Sequence, residues 1–104
     1  MNIAGRFSLS AGNANANVLT AGDFSQAPVT IYGGDGNDSI FGSPNDDLLF
    51  GDGGKDLING SAGNDTLFGG EGDDILRGLD GNDRLFGEVG NDQLNGNGGR
   101  NTLS

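Results

Sequence analysis

The clearest pattern in the chain is one apolar residue that recurs every nine positions in an otherwise polar, glycine-rich sequence. From Gly33 to Ser104 the sequence divides into eight consecutive nonamers without an insertion. The last three residues of each nonamer place one apolar side chain between two variable ones, which predicts a short strand with one buried face. Eight copies in one phase indicate a repeat protein. The apolar residue stands at the eighth position: Ile40, Leu49, Ile58, Leu67, Leu76, Leu85, Leu94 and Leu103.

The first six positions of each nonamer predict a tight turn. Glycine occupies the first position in all eight copies and the fourth position in seven of them. Glycine adopts positive φ without steric cost, and Asn tolerates it next best. Asn45, which replaces the fourth-position glycine of the second nonamer, is therefore expected to take the same left-handed conformation.

Each turn reverses the chain, so the next strand runs back on the opposite face and a full coil takes two nonamers. Stacked coils predict an all-β fold: a right-handed parallel β-roll, or β-solenoid, with two nonapeptide repeats per coil and two short-stranded parallel sheets. The apolar residues then form two ladders between the sheets. One ladder is Ile40, Ile58, Leu76 and Leu94, and the other is Leu49, Leu67, Leu85 and Leu103.

The chain divides into residues 1–32, expected to form degenerate coils and a cap, and residues 33–104, expected to form the eight-repeat roll. Residues 12–20 keep the frame of the repeat but carry no carboxylate, so they are expected to form a metal-free coil. Residues 30–32 end in phase with the repeats and are expected to supply another strand. Apolar residues suited to a cap over the first coil are Phe7, Leu9 and Phe24.

Composition narrows the possible chemistry. The 104 residues include 22 Gly but no Cys and no His, which excludes disulfides and imidazole ligands. The net charge of −10 argues against nucleic acid and against an anionic membrane surface. No apolar run approaches the roughly twenty residues of a membrane span. Such a composition is also typical of disordered acidic tails, and the regular repeat argues against that alternative.

The sixth position points to a metal. It is Asp in seven nonamers and returns to the same side of the roll with every coil, so carboxylates would stack about 5 Å apart and repel unless a cation lay between them. Turn carbonyls can complete an all-oxygen shell of six or more ligands, which suits Ca²⁺ better than Mg²⁺ or softer metals. The expected carboxylate ligands are Asp38, Asp56, Asp74 and Asp92 on one side and Asp47, Asp65 and Asp83 on the other. The expected carbonyl ligands belong to Gly33, Gly36, Gly51, Gly54, Gly60, Gly63, Gly69, Gly72, Gly78 and Gly81.

This arrangement predicts five calcium ions, whose charge would offset the net charge of the chain. The paired carboxylates are Asp38/Asp56, Asp56/Asp74, Asp74/Asp92, Asp47/Asp65 and Asp65/Asp83. A sixth pair, Asp83 with Asn101, has lost one carboxylate and has Arg100 beside it, so it is expected to be weak or empty. Any one of these aspartates alone would be interpreted as a solvated turn residue, but seven at one phase favour the metal.

The segments GGDGND, GSAGND, GGEGDD and GLDGND resemble the GGxGxDxUx nonapeptide of the RTX (repeat-in-toxin) family. The resemblance implies that aspartates and turn carbonyls bind Ca²⁺ between coils and that the repeats fold only when calcium is present. It also implies export by bacterial type I secretion, an extracellular or cell-surface location, and folding outside the cell.

The leading function is therefore calcium-dependent folding of a structural or assembly scaffold. Self-association is possible through a ninth-position face of Phe50, Phe68 and Phe86, or by end-to-end stacking of rolls. The alternative is a polysaccharide- or surface-binding accessory module of a secreted protein, which a single Tyr and no Trp make less attractive. Ice binding ranks third, since only Thr66 and Thr102 align. An enzyme is not expected, because His and Cys are absent and the dense carboxylates are assigned to metal.

Overall fold

The computed structural model describes residues 7–10 (backbone), 16–20 and 28–104, which form short parallel strands joined by turns. None of these residues is helical, so no helix among them could cross a membrane. The strands are β1 (Phe7–Ser10), β2 (Val18–Thr20), β3 (Val29–Tyr32), β4 (Ser39–Phe41), β5 (Leu48–Phe50), β6 (Leu57–Asn59), β7 (Thr66–Phe68), β8 (Ile75–Arg77), β9 (Arg84–Phe86), β10 (Gln93–Asn95) and β11 (Thr102–Leu103).

The strands alternate between two parallel sheets. One sheet has the order β1-β3-β5-β7-β9-β11, and the other has the order β2-β4-β6-β8-β10. Within the repeats each strand pairs with the strand one coil later, so Ile40 lies opposite Ile58 and Leu49 lies opposite Leu67. The predicted all-β parallel solenoid is confirmed, with about four turns.

The region before the repeats supplies the first strand pairs. β3 pairs with β5 in phase, which confirms the strand predicted at residues 30–32, and β2 of the predicted metal-free coil pairs with β4. Leu19 lies opposite Ile40 across 21 positions, whereas the repeats pair across 18. β1 pairs with β3 and forms an edge of the six-stranded sheet. Phe24 lies outside the described residues, and a division of the chain at Gly33 stays a prediction.

The core consists of the predicted ladder residues from Ile40 to Leu85, with Leu94 partly buried against them, and is extended at the start by Leu19, Val29 and Ile31. The eighth-position residues from Ile40 to Leu85 have no exposed surface, whereas Leu103 on the last strand is 49% exposed. An interior ladder residue has a neighbour on each side along the ladder, and the last residue has only one. Full burial of such a side chain contributes about 1.5–3 kcal/mol, so the coils stabilise one another mainly through this single column on each sheet.

The turns use two left-handed residues each, at the second and fourth positions. The fourth-position glycines take φ values from 83° to 119°, and the second position is left-handed even where it is Leu79 (φ 68°) or Glu88 (φ 67°). The prediction for Asn45 is wrong, because neither Asn45 nor Ser43 has positive φ. Pro44 accounts for the difference at Ser43, because its ring restricts the backbone of the preceding residue, and the second nonamer therefore has a different turn.

Candidate metal centre

The sixth-position side chains lie inside the roll, at the point where each turn meets its strand. The six from Asp38 to Asp83 are 1–3% exposed, and Asp92 in the last coil of its side is half-buried. A buried carboxylate is costly unless hydrogen bonds, a proton or a cation compensates it. The partners of each oxygen atom therefore decide what the site can bind. The buried carboxylates belong to Asp38, Asp47, Asp56, Asp65, Asp74 and Asp83.

One carboxylate oxygen of each Asp links its coil to the coil before it. Asp56 Oδ1 accepts a hydrogen bond from the Asp38 backbone N–H at 2.8 Å, and the same bond recurs along both sides of the roll. Asn101 keeps it with its amide oxygen, which accepts from the Asp83 N–H at 2.8 Å. An uncharged oxygen is sufficient for this bond, so it does not account for the preference for Asp.

The second carboxylate oxygen is the chemically unusual atom. In five of the buried aspartates Oδ2 has no hydrogen-bond partner among the described residues. Leaving one buried charged acceptor unsatisfied costs about 1–3 kcal/mol or more. A cation placed beside these oxygens would remove that cost. They belong to Asp38, Asp56, Asp65, Asp74 and Asp83.

The first-position glycines open a space next to these oxygens. A Cβ placed on Gly33 would lie 2.9 Å from Asp38 Oδ2 and 2.8 Å from the carbonyl oxygen of Gly51 in the next coil. The space is thus bordered by oxygen atoms of two successive coils, the ligand type that a hard cation such as Ca²⁺ prefers. The same space recurs twice along this side of the roll. A Cβ on Gly51 would lie 2.5 Å from Asp56 Oδ2 and 2.8 Å from the Gly69 carbonyl oxygen, and a Cβ on Gly69 would lie 2.6 Å from Asp74 Oδ2 and 2.9 Å from the Gly87 carbonyl oxygen.

The Gly87 carbonyl was missing from the predicted ligands. It occupies the first position of the seventh nonamer, so the repeat phase alone would have found it. Fourth-position carbonyls also point towards the following coil, because a Cβ on Gly54 would overlap the Gly36 carbonyl. Within the described part of the chain no three acidic side chains converge on one point. A metal held here would therefore take most of its ligands from turn carbonyls.

The last nonamer indicates which atoms surround the sixth-position side chain. The Asn101 amide nitrogen donates to the carbonyl of Gly98 at 3.0 Å and more weakly to that of Asn97 at 3.5 Å. Carbonyls of the turn therefore face the sixth-position side chain. Where that side chain is Asp, a carboxylate oxygen would stand in place of the donor group, and a cation between it and the carbonyls would relieve their repulsion.

Burial changes the protonation of these carboxyls. Desolvation, reinforced by neighbouring carboxylates, raises the pKa of Asp65 to about 8, of Asp56 to about 7 and of Asp74 to about 6. Desolvation also raises the pKa values of Asp47 and Asp83. A proton and a cation each neutralise the same buried oxygens, so the two compete.

The comparisons with known proteins agree with this geometry. The model of the RTX calcium-binding nonapeptide repeat matches in four overlapping copies, over residues 30–58, 41–76, 50–85 and 68–103. The chain belongs to the RTX calcium-binding repeat family. No curated protein and no solved structure matches it. The RTX repeat is a structural, calcium-binding module and not a catalytic one, and it is typical of secreted bacterial proteins, so calcium is the expected ligand of the roll.

The second RTX nonamer differs from the others at its carboxylate. Asp47 Oδ2 accepts a hydrogen bond from the Ser43 backbone N–H at 2.6 Å, and Oδ1 accepts from the Ser43 hydroxyl at 2.7 Å. Oδ1 also accepts from the Val29 N–H at 2.9 Å. The sequence pattern placed Asp47 among equivalent ligands. The signal that separates it is the Ser-Pro-Asn segment within the turn.

Proposed function

We propose that this chain is a structural module that folds outside the cell when Ca²⁺ binds between its coils, and that it serves as a scaffold. The five buried Oδ2 atoms without a hydrogen-bond partner in the described residues support this most directly. At neutral pH a metal-free roll would have to bury these oxygens either charged or protonated. Calcium removes that cost, so binding free energy becomes folding free energy.

The proposed ligands come from both sides of the roll. On one side Asp38, Asp56, Asp74 and Asp92 would hold ions between successive coils, and on the other side Asp65 and Asp83 would do so. Carbonyls complete each shell, from the first and fourth positions of the turns. These are the carbonyls predicted from the sequence, Gly33, Gly36, Gly51, Gly54, Gly60, Gly63, Gly69, Gly72, Gly78 and Gly81, to which Gly87 is added.

The ligand chemistry favours a calcium-rich environment. Each site would carry at most two carboxylates and otherwise neutral carbonyls. Fewer charged ligands mean weaker binding, and extracellular calcium modules have dissociation constants of about 10⁻⁴–10⁻³ M. A site of this kind would stay empty at the low calcium level of a cytoplasm and fill outside the cell, which supports the proposed location.

The outer aromatic ladder favours a scaffold over a polysaccharide-binding module. Tyr32, Phe50, Phe68 and Phe86 stack with ring centroids 5.0 Å apart and planes within 2–13° of parallel. A sugar ring packs on the exposed face of an aromatic ring, whereas the faces of Phe50 and Phe68 are covered by their neighbours. Each stacked ring pair stabilises the sheet by about 0.5–1.5 kcal/mol. Self-association through this face stays a prediction.

Far-UV circular dichroism of metal-stripped protein, titrated with Ca²⁺ at constant ionic strength, tests the proposal. We expect a cooperative rise of β-sheet signal with Ca²⁺ and no comparable rise with Mg²⁺, whose small octahedral shell this flexible carbonyl site does not match. A spectrum that is fully folded without metal and indifferent to calcium would show that the aspartates are not a folding trigger.

A further inference from the structure

Two turns of the roll start from the same residues but adopt opposite backbone conformations. The second nonamer begins GSPNDD and the fourth begins GSAGND, so both have Ser at the second position and Asp at the sixth. Ser61 in the fourth nonamer is left-handed (φ 72°), whereas Ser43 in the second has no positive φ. The residue that follows the Ser is Pro44 in one turn and Ala62 in the other. Proline disfavours compact backbone at the residue before it, so Pro44 decides the conformation of Ser43.

Ser43, which lacks positive φ, supplies donors to its carboxylate that the other described turns lack. Its N–H and hydroxyl both point at the Asp47 carboxylate, and with the Val29 N–H they give it three hydrogen bonds at 2.6–2.9 Å. The Ser43 hydroxyl also accepts from the Asn45 N–H at 3.1 Å, which closes the turn around the serine. Asp65, the equivalent carboxylate of the fourth nonamer, has an Oδ2 without a partner among the described residues. Ser43 and Asp47 are both buried, so solvent does not compete for these bonds.

The position of the carboxylate itself is unchanged. A Cβ on Gly42 would lie 2.7 Å from Asp47 Oδ2 and 2.8 Å from the Gly60 carbonyl, as in the turns described above. What differs is the group directed at Oδ2. An N–H now lies where the other turns leave that oxygen free for a cation, and a positive ion beside an N–H donor is repelled by it.

We propose that the turn of Ser43, Pro44 and Asn45 takes the place of the calcium ion between Asp47 and Asp65, and so forms a metal-free link between two coils. This inference rests on the proposed function. Four intervals then keep two carboxylates and a partnerless oxygen: Asp38/Asp56, Asp56/Asp74, Asp74/Asp92 and Asp65/Asp83. The chain holds one tightly bound ion fewer than the five that its aspartates predict.

The metal-free link lies next to the last strand before the regular nonamers. Asp47 accepts from Val29, the first residue of β3, which is the last strand before the regular nonamers. This bond attaches the non-repetitive part of the chain to one sheet, as the bond from the Asn17 N–H to Asp38 Oδ1 does on the other. With the Ser43 donors in place of an ion, Asp47 contributes to the contact with the coil before it and with the coil after it without a metal.

Two reciprocal variants test the inference, because the two turns differ at only a few positions. In the gain variant, Pro44→Ala with Asn45→Gly frees Ser43 to become left-handed as Ser61 is. In the loss variant, Ala62→Pro with Gly63→Asn gives the fourth nonamer the turn of the second. Bound Ca²⁺ is counted by equilibrium dialysis and elemental analysis at saturating calcium, with folding checked by circular dichroism. We expect one ion more than wild type in the gain variant and one ion fewer in the loss variant.

The outcomes separate this inference from the proposed function. If wild-type protein binds no calcium, the proposed function fails. If it binds calcium but the folded gain variant binds the same number of ions, only the inference is overturned. Amide hydrogen exchange in the calcium-loaded wild type is a second measurement, which does not depend on any variant folding. The Ser43 amide should exchange as slowly as strand amides, and exchange at the rate of an exposed turn would also overturn the inference.

Discussion

Replacement of Asp56 by Asn isolates the charge of one carboxylate from its hydrogen bond. Asp56 Oδ1 accepts from the Asp38 N–H at 2.8 Å, and Asn101 shows that an amide oxygen makes the same bond. Asp56→Asn therefore leaves the link between the coils in place. It removes the buried, partnerless Oδ2 and its charge, which are the features assigned to calcium.

The size of the effect follows from the position of Asp56 in its column. Asp56 borders two intervals, one shared with Asp38 and one shared with Asp74, whereas Asp92 borders only the interval shared with Asp74. A site filled at a hundred times its dissociation constant stabilises the folded state by about 2.7 kcal/mol. Asp56→Asn should lower the calcium-dependent free energy of unfolding by about 5 kcal/mol, and Asp92→Asn should lower it by about 3 kcal/mol.

Urea unfolding in saturating calcium, followed by circular dichroism, measures these free energies, and equilibrium dialysis counts the ions. Asp80→Asn is the matched control, since Asp80 is an exposed third-position acid that makes the same change in net charge. We expect the control to bind as many ions as wild type. An Asp56→Asn protein that binds the full number of ions, or that loses no more stability than the Asp80→Asn control, would refute the reasoning.

Three further predictions concern the core, the turns and pH. Leu67→Ala should lower the free energy of unfolding, measured in urea with calcium, by about 2–5 kcal/mol, because Leu67 has no exposed surface. Leu103→Ala, at a site 49% exposed, should lower it clearly less. Equal losses in the two variants would contradict the ladder. Gly72→Ala should lower the melting temperature, since φ is 107° and a Cβ would overlap the Gly54 backbone, whereas Gly98→Ala should be tolerated because its nearest neighbour would be 3.9 Å away. Desolvation raises the pKa of Asp56 to about 7, of Asp65 to about 8 and of Asp74 to about 6, each from 3.8, so the metal-free fold binds more protons than the unfolded chain. Its stability should be greatest below pH about 4 and be lost as pH rises through 6–8, and metal-stripped protein that shows no gain of β signal on acidification would contradict this.

The sequence was sufficient for the strands and for the core. One apolar residue at a fixed position in each nonamer predicted both ladders, and Ile40 and Leu49 indeed lie on opposite sheets. This succeeds because a strand of three residues has only one inward position, so the repeat phase leaves no freedom in register. The two columns of sixth-position carboxylates were predicted from the same nine-residue repeat.

The conformations of the turns could not be predicted as well. Leu79 and Glu88 are left-handed although neither residue type favours that region, because stacking on the coils above and below determines the turn. In the second nonamer the preference of Asn for positive φ does not decide the turn, because Pro44 restricts Ser43 before it. The repeat phase makes Asp47 equivalent to the other aspartates, whereas the hydrogen bonds from Ser43 depend on this one turn.

A roll of nearly identical coils can pair its strands in more than one register. If one coil bulged out as an 18-residue loop, every remaining strand would still meet an equivalent partner. The longer loop would oppose this only weakly, because each doubling of loop length costs only about 0.6 kcal/mol of closure free energy. The turn of the second nonamer cannot be exchanged in this way, because among the described residues only Ser43 donates to the sixth-position carboxylate of its own nonamer. Any misaligned roll that omits this coil loses bonds that no other repeat can replace. The irregular turn thus makes the coil of the second nonamer different from the rest, and a roll that omits it is less stable than the complete one.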